Sequence, residues 1–319
     1  MSGLEVIQPG VHSLVQDAGR YGFHNIGLTT GGPLDQDSFR WANRLCENED
    51  SAACLEILVG GLVLESQIAT QIAVTGADMP LKINDRAVSG WRNHRVLAGD
   101  RIKLGYASAG CRAYLSVAGG IKAPLVFGSA ATVVREGLGG LHRNGKPLIK
   151  GDILPCIPCN TDKNLSLPQY QRSALDAAIT QIRVVLGYQH SSFTRSQTQL
   201  FFSSEYSVSE NSNRMGYRLS GPAVKPSLEG MLSEGICLGA IQLPADGQPI
   251  ILLRDRQTIG GYPKIGSVFS LDIAKLAQLM PGRKLRFEAI SIEQARRALK
   301  LHEQQFLSTP LDIGAQSHI

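Results

Sequence analysis

The chain has 319 residues, 43% hydrophobic and 18% charged, enough apolar material for one large or two ordinary domains with real cores. Its net charge of +5 is mild and gathers in no basic stripe, which excludes a nucleic-acid face, and no apolar run reaches the ~18 residues of a membrane span. Six cysteines in so long a chain make no disulfide framework, and thirty-four glycines and fifteen prolines scattered at short intervals favour many short strands over long helices.

The amino end, M-S-G-L-E-V-I-Q-P-G, has neither a basic region nor an apolar signal core, so a cytoplasmic, bacterial-style protein is expected. Leu4 to Ile7 and Val11 to Gln16 read as strands around Pro9-Gly10. After Q-D-A-G-R-Y-G-F, Pro33-Leu34-Asp35 opens a helix to about Cys46 with Leu34, Phe39, Ala42 and Leu45 on one face. Leu55 to Leu64 and Ile68 to Val74 read as buried strands, and Leu81–Ile83 with Ala87–Trp91 as a hairpin around Asn84-Asp85. Arg95–Leu97, Arg101–Leu104 and Arg112–Val117 continue the β pattern, and Lys146 to Leu154 adds a turn and strand. Cys156 and Cys159 form one C-x-x-C with no second pair at finger spacing, so no metal site is expected.

Pro158 to about Ser173 is polar and aperiodic, the best linker in the chain. A short helix over Ala174–Thr180 and a strand over Ile182–Leu186 follow. The division expected is 1–160, a linker with a short helix over 161–180, and 181–319. Near the carboxyl end Asp272 is expected to cap a helix through Met280, stopped by Pro281-Gly282, and Leu285–Ile290 reads as a strand. Ser291 and Gln294 make a capping box for a helix to about Leu307, whose apolar face would be Ile292, Ala295, Leu299 and Phe306. Residues from Ser308 onward are expected to fray.

The second half echoes the first. Arg20, Gly22, Phe23 and Gly27 share their spacing with Arg214, Gly216, Tyr217 and Gly221, and Glu56 and Glu234 each precede a glycine-containing apolar run. Two matched blocks in the same order point to a duplicated β domain, and short strands with few helices to two closed or nearly closed barrels.

Three polar clusters carry the candidate chemistry. Asp17 and Arg20 lie beside glycines, Asn213 and Arg214 stand near Tyr217, and R-D-R-Q-T-I-G-G-Y-P, Arg254 to Pro263, follows a buried strand. Polar side chains converging on a glycine-rich turn at a strand end suit a small-molecule site, with Gly260 and Gly261 allowing positive φ or close approach to a ligand. The same residues also describe a tight solvated turn. Arg20 and Arg214 either bind an anion or each pair with a carboxylate inside their own domain, and Glu234 is either a general base or a structural partner of Arg214. No phosphate loop, dinucleotide fingerprint, nucleophile elbow or H-E-x-x-H is present.

V-Q-D-A-G-R-Y-G-F, A-N-R-L, L-E-I-L-V-G-G, R-A-Y-L-S-V-A-G-G-I, S-N-R-M-G-Y-R-L-S-G and D-R-Q-T-I-G-G-Y-P together resemble the family of 5-oxoprolinase C subunits, over about residues 4 to 300. This is the KipA, or allophanate hydrolase subunit 2-like, family, related to the carboxyltransferase part of urea carboxylase. The resemblance implies a mainly β protein of two tandem cyclophilin-like β-barrel domains with a few short helices. It implies a bacterial ATP-dependent enzyme that opens the lactam of 5-oxo-L-proline to L-glutamate together with a KipI-like B subunit and a LamB/YcsF-like A subunit. ATP would be bound with or by one of those partners. On that reading Arg20, Arg214 and Gln257 supply donors, Asp255 or Glu234 the base, and Tyr217 and Tyr262 orient the substrate, with Asp17, Asn213, Thr258, Gly260 and Gly261 completing the site. Two other functions stay open: a biotin-dependent carboxyltransferase, which needs a separate carrier because the chain has no M-K-M motif, and a non-catalytic regulatory partner of a KipI-like protein. The chain departs from the family's pattern at Ala131, at Ile259, and at Gly187-Tyr188-Gln189 where G-P-[EQ] is common.

Overall fold

A computed structural model describes residues 2–161, 163–172, 174–175, 177–227 and 231–314. The chain divides into two units. One comprises the described residues of 1–21, 31–176 and 310–319, the other those of 22–30 and 177–309.

The first unit is built mainly on two large antiparallel sheets. Ile153–Pro155, Gly3–Pro9, Leu62–Ser66, Arg101–Leu104, Leu81–Ile83 and Arg86–Val88 lie in that order in a six-stranded sheet. His12–Gln16, Cys54–Leu58, Ala109–Val117, Thr70–Asp78 and Asn93–Val96 make a five-stranded one. Leu4, Val6, Leu64 and Ile102 from the first sheet and Leu55, Ile57, Ile72 and Leu115 from the second fill one apolar core. The expected Asn84-Asp85 hairpin forms, with both residues at positive φ as its two-residue turn requires. Helix α1 (Gln36–Leu45) packs Phe39, Ala42 and Leu45 inward, and its N-cap Asp35 accepts from the Ser38 N–H at 3.0 Å. Strand pairing does not close these two sheets into one barrel among the described residues, where two closed or nearly closed barrels were expected.

The second unit contains a closed seven-stranded barrel. Its order is Ile179–Leu186, Lys264–Val268, Ala240–Gln242, Ile250–Leu252, Gly216–Ser220, Glu205–Val208 and Lys284–Ala289, closed by parallel pairing of the last with the first. Closure removes the exposed edges that short strands would otherwise present. Helix α2 (Arg195–Ser203), which periodicity did not reveal, is capped by Thr194 and buries Phe201 against Phe287 with ring centroids 4.4 Å apart.

Several expectations need correction. Of the helix expected over 174–180, the described residues are not helical, and Ile179 and Thr180 already belong to the barrel; Asp176 lies outside the described residues. The polar linker is tied down, with Leu167 fully buried and Gln71 donating to the carbonyls of Thr161 and Lys163, while Ser173 lies outside the described residues. The chain does not fray from Ser308, because Asp312–Ile313 pairs with Leu165–Ser166; residues 315–319 lie outside the described residues. Along α4 (Ile292–Ser308), whose capping box forms in full, Ala295 and Phe306 are buried but Ile292 and Leu299 face solvent.

Asp272 opens α3 (Asp272–Ala277) without capping it. Its fully buried carboxylate takes both arms of the Arg183 guanidinium at 2.8 and 2.6 Å, the Arg183 N–H at 2.8 Å and Lys275 at 2.9 Å. Burial alone would raise this carboxyl, but the Arg183 and Lys275 donors together outweigh it and hold the group below the ordinary carboxylate range. A depressed folded-state pKa contributes stability that is complete above the unfolded value and is lost as pH falls through the folded one. The urea midpoint of the native chain should therefore exceed that of Asp272→Asn by a constant margin from about pH 7 to about pH 5, and the margin should shrink below about pH 4. A margin independent of pH down to about pH 2 would contradict this account.

No helix among the described residues is long and apolar enough to cross a membrane.

Candidate functional site

The candidate residues of the first unit hold their own backbone in place. Asp17 accepts from the Ser129 hydroxyl at 2.6 Å, the Ala130 N–H at 2.6 Å and the Gly19 N–H at 2.9 Å. Arg20, only 2% exposed, donates to the carbonyl of Ala131 at 2.6 Å and that of Val126 at 3.4 Å. Together they pin the loop 126–131. Glu56 is likewise buried, accepting from Tyr114 at 2.7 Å and from the Leu34 N–H at 2.9 Å.

In the second unit the stretch after the Ile250–Leu252 strand turns inward. Asp255 and Arg214 form a bidentate pair, both contacts 3.0 Å, with both side chains buried. Arg256 donates to the carbonyls of Ile236 at 3.1 Å and Leu253 at 3.3 Å. Tyr217 is buried in the barrel wall, and the Asn213 side chain accepts from the Met215 N–H at 2.8 Å to close its own turn. The Thr258 carbonyl accepts from the Ile236 N–H at 3.0 Å, and Tyr262 is half exposed.

Of the two expected reasons for Gly260 and Gly261, positive φ or close approach to a ligand, the first does not hold, since neither has positive φ. Crowding explains the glycines instead. A Cβ on Gly260 would stand 2.5 Å from Ile236 Cδ1 and 2.9 Å from Gln242 Nε2, and one on Gly261 would stand 3.1 Å from the Met231 carbonyl oxygen. The close fit lets Ile259–Gly260 pair with Glu234–Gly235, setting Glu234 opposite Gly260. The atoms crowding Gly260 are side-chain tips that can shift, so Gly260→Ala should destabilise the chain by about 1 kcal/mol, the low end for overpacking, measured by urea melting; an unchanged midpoint would remove this reason for the glycine.

Glu234 differs from its sequence counterpart Glu56. It is only partly buried, and its carboxylate gathers three donors: the Lys264 ammonium, the Tyr188 phenol, and the Gln189 amide at 2.5 Å. Gln189 also donates to the Tyr188 oxygen at 2.8 Å and accepts the Lys264 N–H at 2.8 Å, so the cluster braces itself. Hydrogen bonds from Lys264 and then Tyr188 hold the Glu234 carboxyl below its ordinary range, and the bond to Glu234 raises the Tyr188 phenol. The result is an ionised carboxylate beside an ammonium and a solvent-facing phenol, groups suited to orienting water and a small polar ligand. Among the described residues no group of three or more His, Cys, Asp or Glu is placed to hold a metal.

Of the residues singled out from sequence, the structure thus pairs Arg214 with Asp255 and sets Glu234 beside Gly260. It gives Glu234 no place as the partner of Arg214. Sequence reasoning missed Lys264, one residue beyond the stretch it had marked. It noted Tyr188-Gln189 only as a departure from a motif, and it had no signal for Gln242.

The family of the carboxyltransferase domain, subdomain A and B, matches residues 26–289. The chain is 38% identical to the 5-oxoprolinase C subunit of Escherichia coli over 95% of its own length and 96% of that protein's, and 33% identical to the Haemophilus influenzae protein of the same name over 94% and 95%. It also superposes on the crystal structure of Kluyveromyces lactis urea amidolyase with a TM-score of 0.89 and 30% identity, covering 97% of this chain but 20% of that one. The chain belongs to the carboxyltransferase-domain family, subdomains A and B, and within it is similar over nearly its whole length to the C subunits of 5-oxoprolinase.

Proposed function

We propose that the chain acts in the bacterial cytoplasm as the C subunit of an ATP-dependent 5-oxoprolinase, which opens the lactam of 5-oxo-L-proline to L-glutamate with release of ADP and phosphate. One observation carries this reading: similarity to two 5-oxoprolinase C subunits covers 94–95% of this chain and 95–96% of theirs, at 38% and 33% identity. Its partners would be a KipI-like B subunit and a LamB/YcsF-like A subunit, and its two units would be the tandem cyclophilin-like domains of that family.

A lactam carbonyl is a poor electrophile and needs both activation and a well-placed water. Glu234 is our candidate for holding that water. Its carboxylate is ionised and partly open, whereas both oxygens of Asp255 face the Arg214 guanidinium. We therefore assign Asp255 and Arg214 to positioning the Arg254–Pro263 stretch, and reserve the base for Glu234. Lys264 would keep Glu234 charged and offer a cation to the substrate carboxylate, while Tyr188 and the half-exposed Tyr262 would orient the ring. Gln257, two residues before the Ile259–Gly260 strand, would be the further donor.

The residues do not fit a nucleotide. Arg20, Arg214 and Arg256 turn onto protein acceptors, and the sequence has no phosphate loop. ATP is assigned to the partner chains. The test is reconstitution of the three chains with 5-oxo-L-proline and ATP. Glutamate should form with all three and vanish when this chain is omitted; undiminished glutamate without it would contradict the reading.

A second reading, carboxyl transfer from a separate biotin carrier, draws support from the superposition of 97% of this chain on 20% of urea amidolyase.

A further inference from the structure

Gln242 is 1% exposed, and its Nε2 donates to no acceptor among the described residues. Buried amide donors are nearly always paired, because stripping water from one without replacing its acceptor opposes folding. Gln242 lies directly across the strand pair from Lys264, at a register shift between Ile241 and Gln242. Directly opposed residues of an antiparallel pair share a face, and such irregularities re-aim side chains beside functional sites. Its Nε2 abuts the backbone of Gly260, whose strand partner is Glu234, the acceptor of Lys264. The Gln257 Nε2 lies 3.6 Å from where a Gly260 Cβ would stand, on the same side.

The balance of donors and acceptors sets the chemistry. The one carboxylate of this cluster already takes the Lys264, Tyr188 and Gln189 donors. What the cluster lacks, among the described residues, is an acceptor for Gln242, beside the Gln257 amide. We propose that Gln242 forms the inner end of a small-ligand subsite in the second unit, where its Nε2–H donates to the carbonyl oxygen of an amide or carboxylate ligand whose polar remainder reaches Glu234 and Lys264. This rests on Glu234 and Lys264 belonging to the substrate site, and it adds the residue that recognises the carbonyl. Gly260 is small because the ligand-binding amide stands against it.

Saturation-transfer NMR on the full chain, alone and with its two partner chains, tests this with 5-oxo-L-proline, 2-pyrrolidone, L-glutamate and urea as probes. Gln242→Met keeps the shape and removes the donor. It should weaken binding of the preferred probe about tenfold or more, while the melting temperature stays level or rises, since no protein hydrogen bond is lost. Gln242→Glu, which puts an acceptor in the donor's place, should lose binding as well and decides the matter if the Met variant folds poorly. Equal binding of 5-oxo-L-proline by the native chain and both variants would overturn the subsite and leave the 5-oxoprolinase reading standing. Gln242-dependent binding of urea alone would support the subsite and count against 5-oxoproline as its ligand. No binding of any probe, alone or in the complex, would overturn the subsite.

Discussion

In a complex of this chain with its two partner chains, Glu234→Gln should lower turnover of 5-oxo-L-proline by about 10²–10⁴-fold, the range a positioned general base contributes. The amide keeps the size of the carboxylate and one acceptor oxygen for Lys264, so the barrel should fold and the complex should assemble. The loss should fall on kcat more than on KM, because Gln still fills the space at which substrate binds. Three donors hold the native carboxyl below its ordinary range, so the acid limb of the pH–rate profile should lie below the usual Glu region. Lys264→Met removes the first of those donors and should move that limb upward. Turnover within threefold of native in Glu234→Gln would strike Glu234 from the mechanism.

The second large effect is on stability. Asp255→Ala leaves the Arg214 guanidinium buried without its bidentate partner, and breaking such a pair from one side costs about 3–5 kcal/mol. The damage should appear in urea melting as early loss of the second unit, with two separate transitions if the two units unfold independently. Replacing both partners, Arg214→Met with Asp255→Leu, removes both charges of the pair and should recover much of the loss. Asp255→Ala stability equal to native would contradict the clamp. If the clamp is structural, a complex of the paired variant should also keep measurable turnover.

Much of the fold was legible because its signals are local. Asn84-Asp85 demands positive φ at two adjacent residues, and Asp35 and Ser291 offer side-chain oxygens where helices begin, so these features follow from a few neighbouring side chains. What was not legible depends on partners distant in sequence. Asp272 looked like a cap, but its partner Arg183 stands 89 positions away. Asp312–Ile313 looked like a fraying end, but it completes a strand pair with Leu165–Ser166. Sequence also matched Glu56 with Glu234 and Arg20 with Arg214, and here equal spacing concealed unequal surroundings. Glu56 and Arg20 are bound into the interior, Arg214 meets a carboxylate, and Glu234 stays partly open under three donors. Gly260 is crowded by the side-chain ends of Ile236 and Gln242 rather than required by a backbone dihedral angle.

The most direct test of the central claim is a paired measurement of glutamate and ADP from 5-oxo-L-proline by the three-chain complex, with and without excess avidin. If the second unit opens the lactam by water held at Glu234, both products should form in equal amounts and avidin should change neither. Loss of turnover under avidin, with a carboxylated product in place of glutamate, would contradict the account and point to carboxyl transfer from biotin.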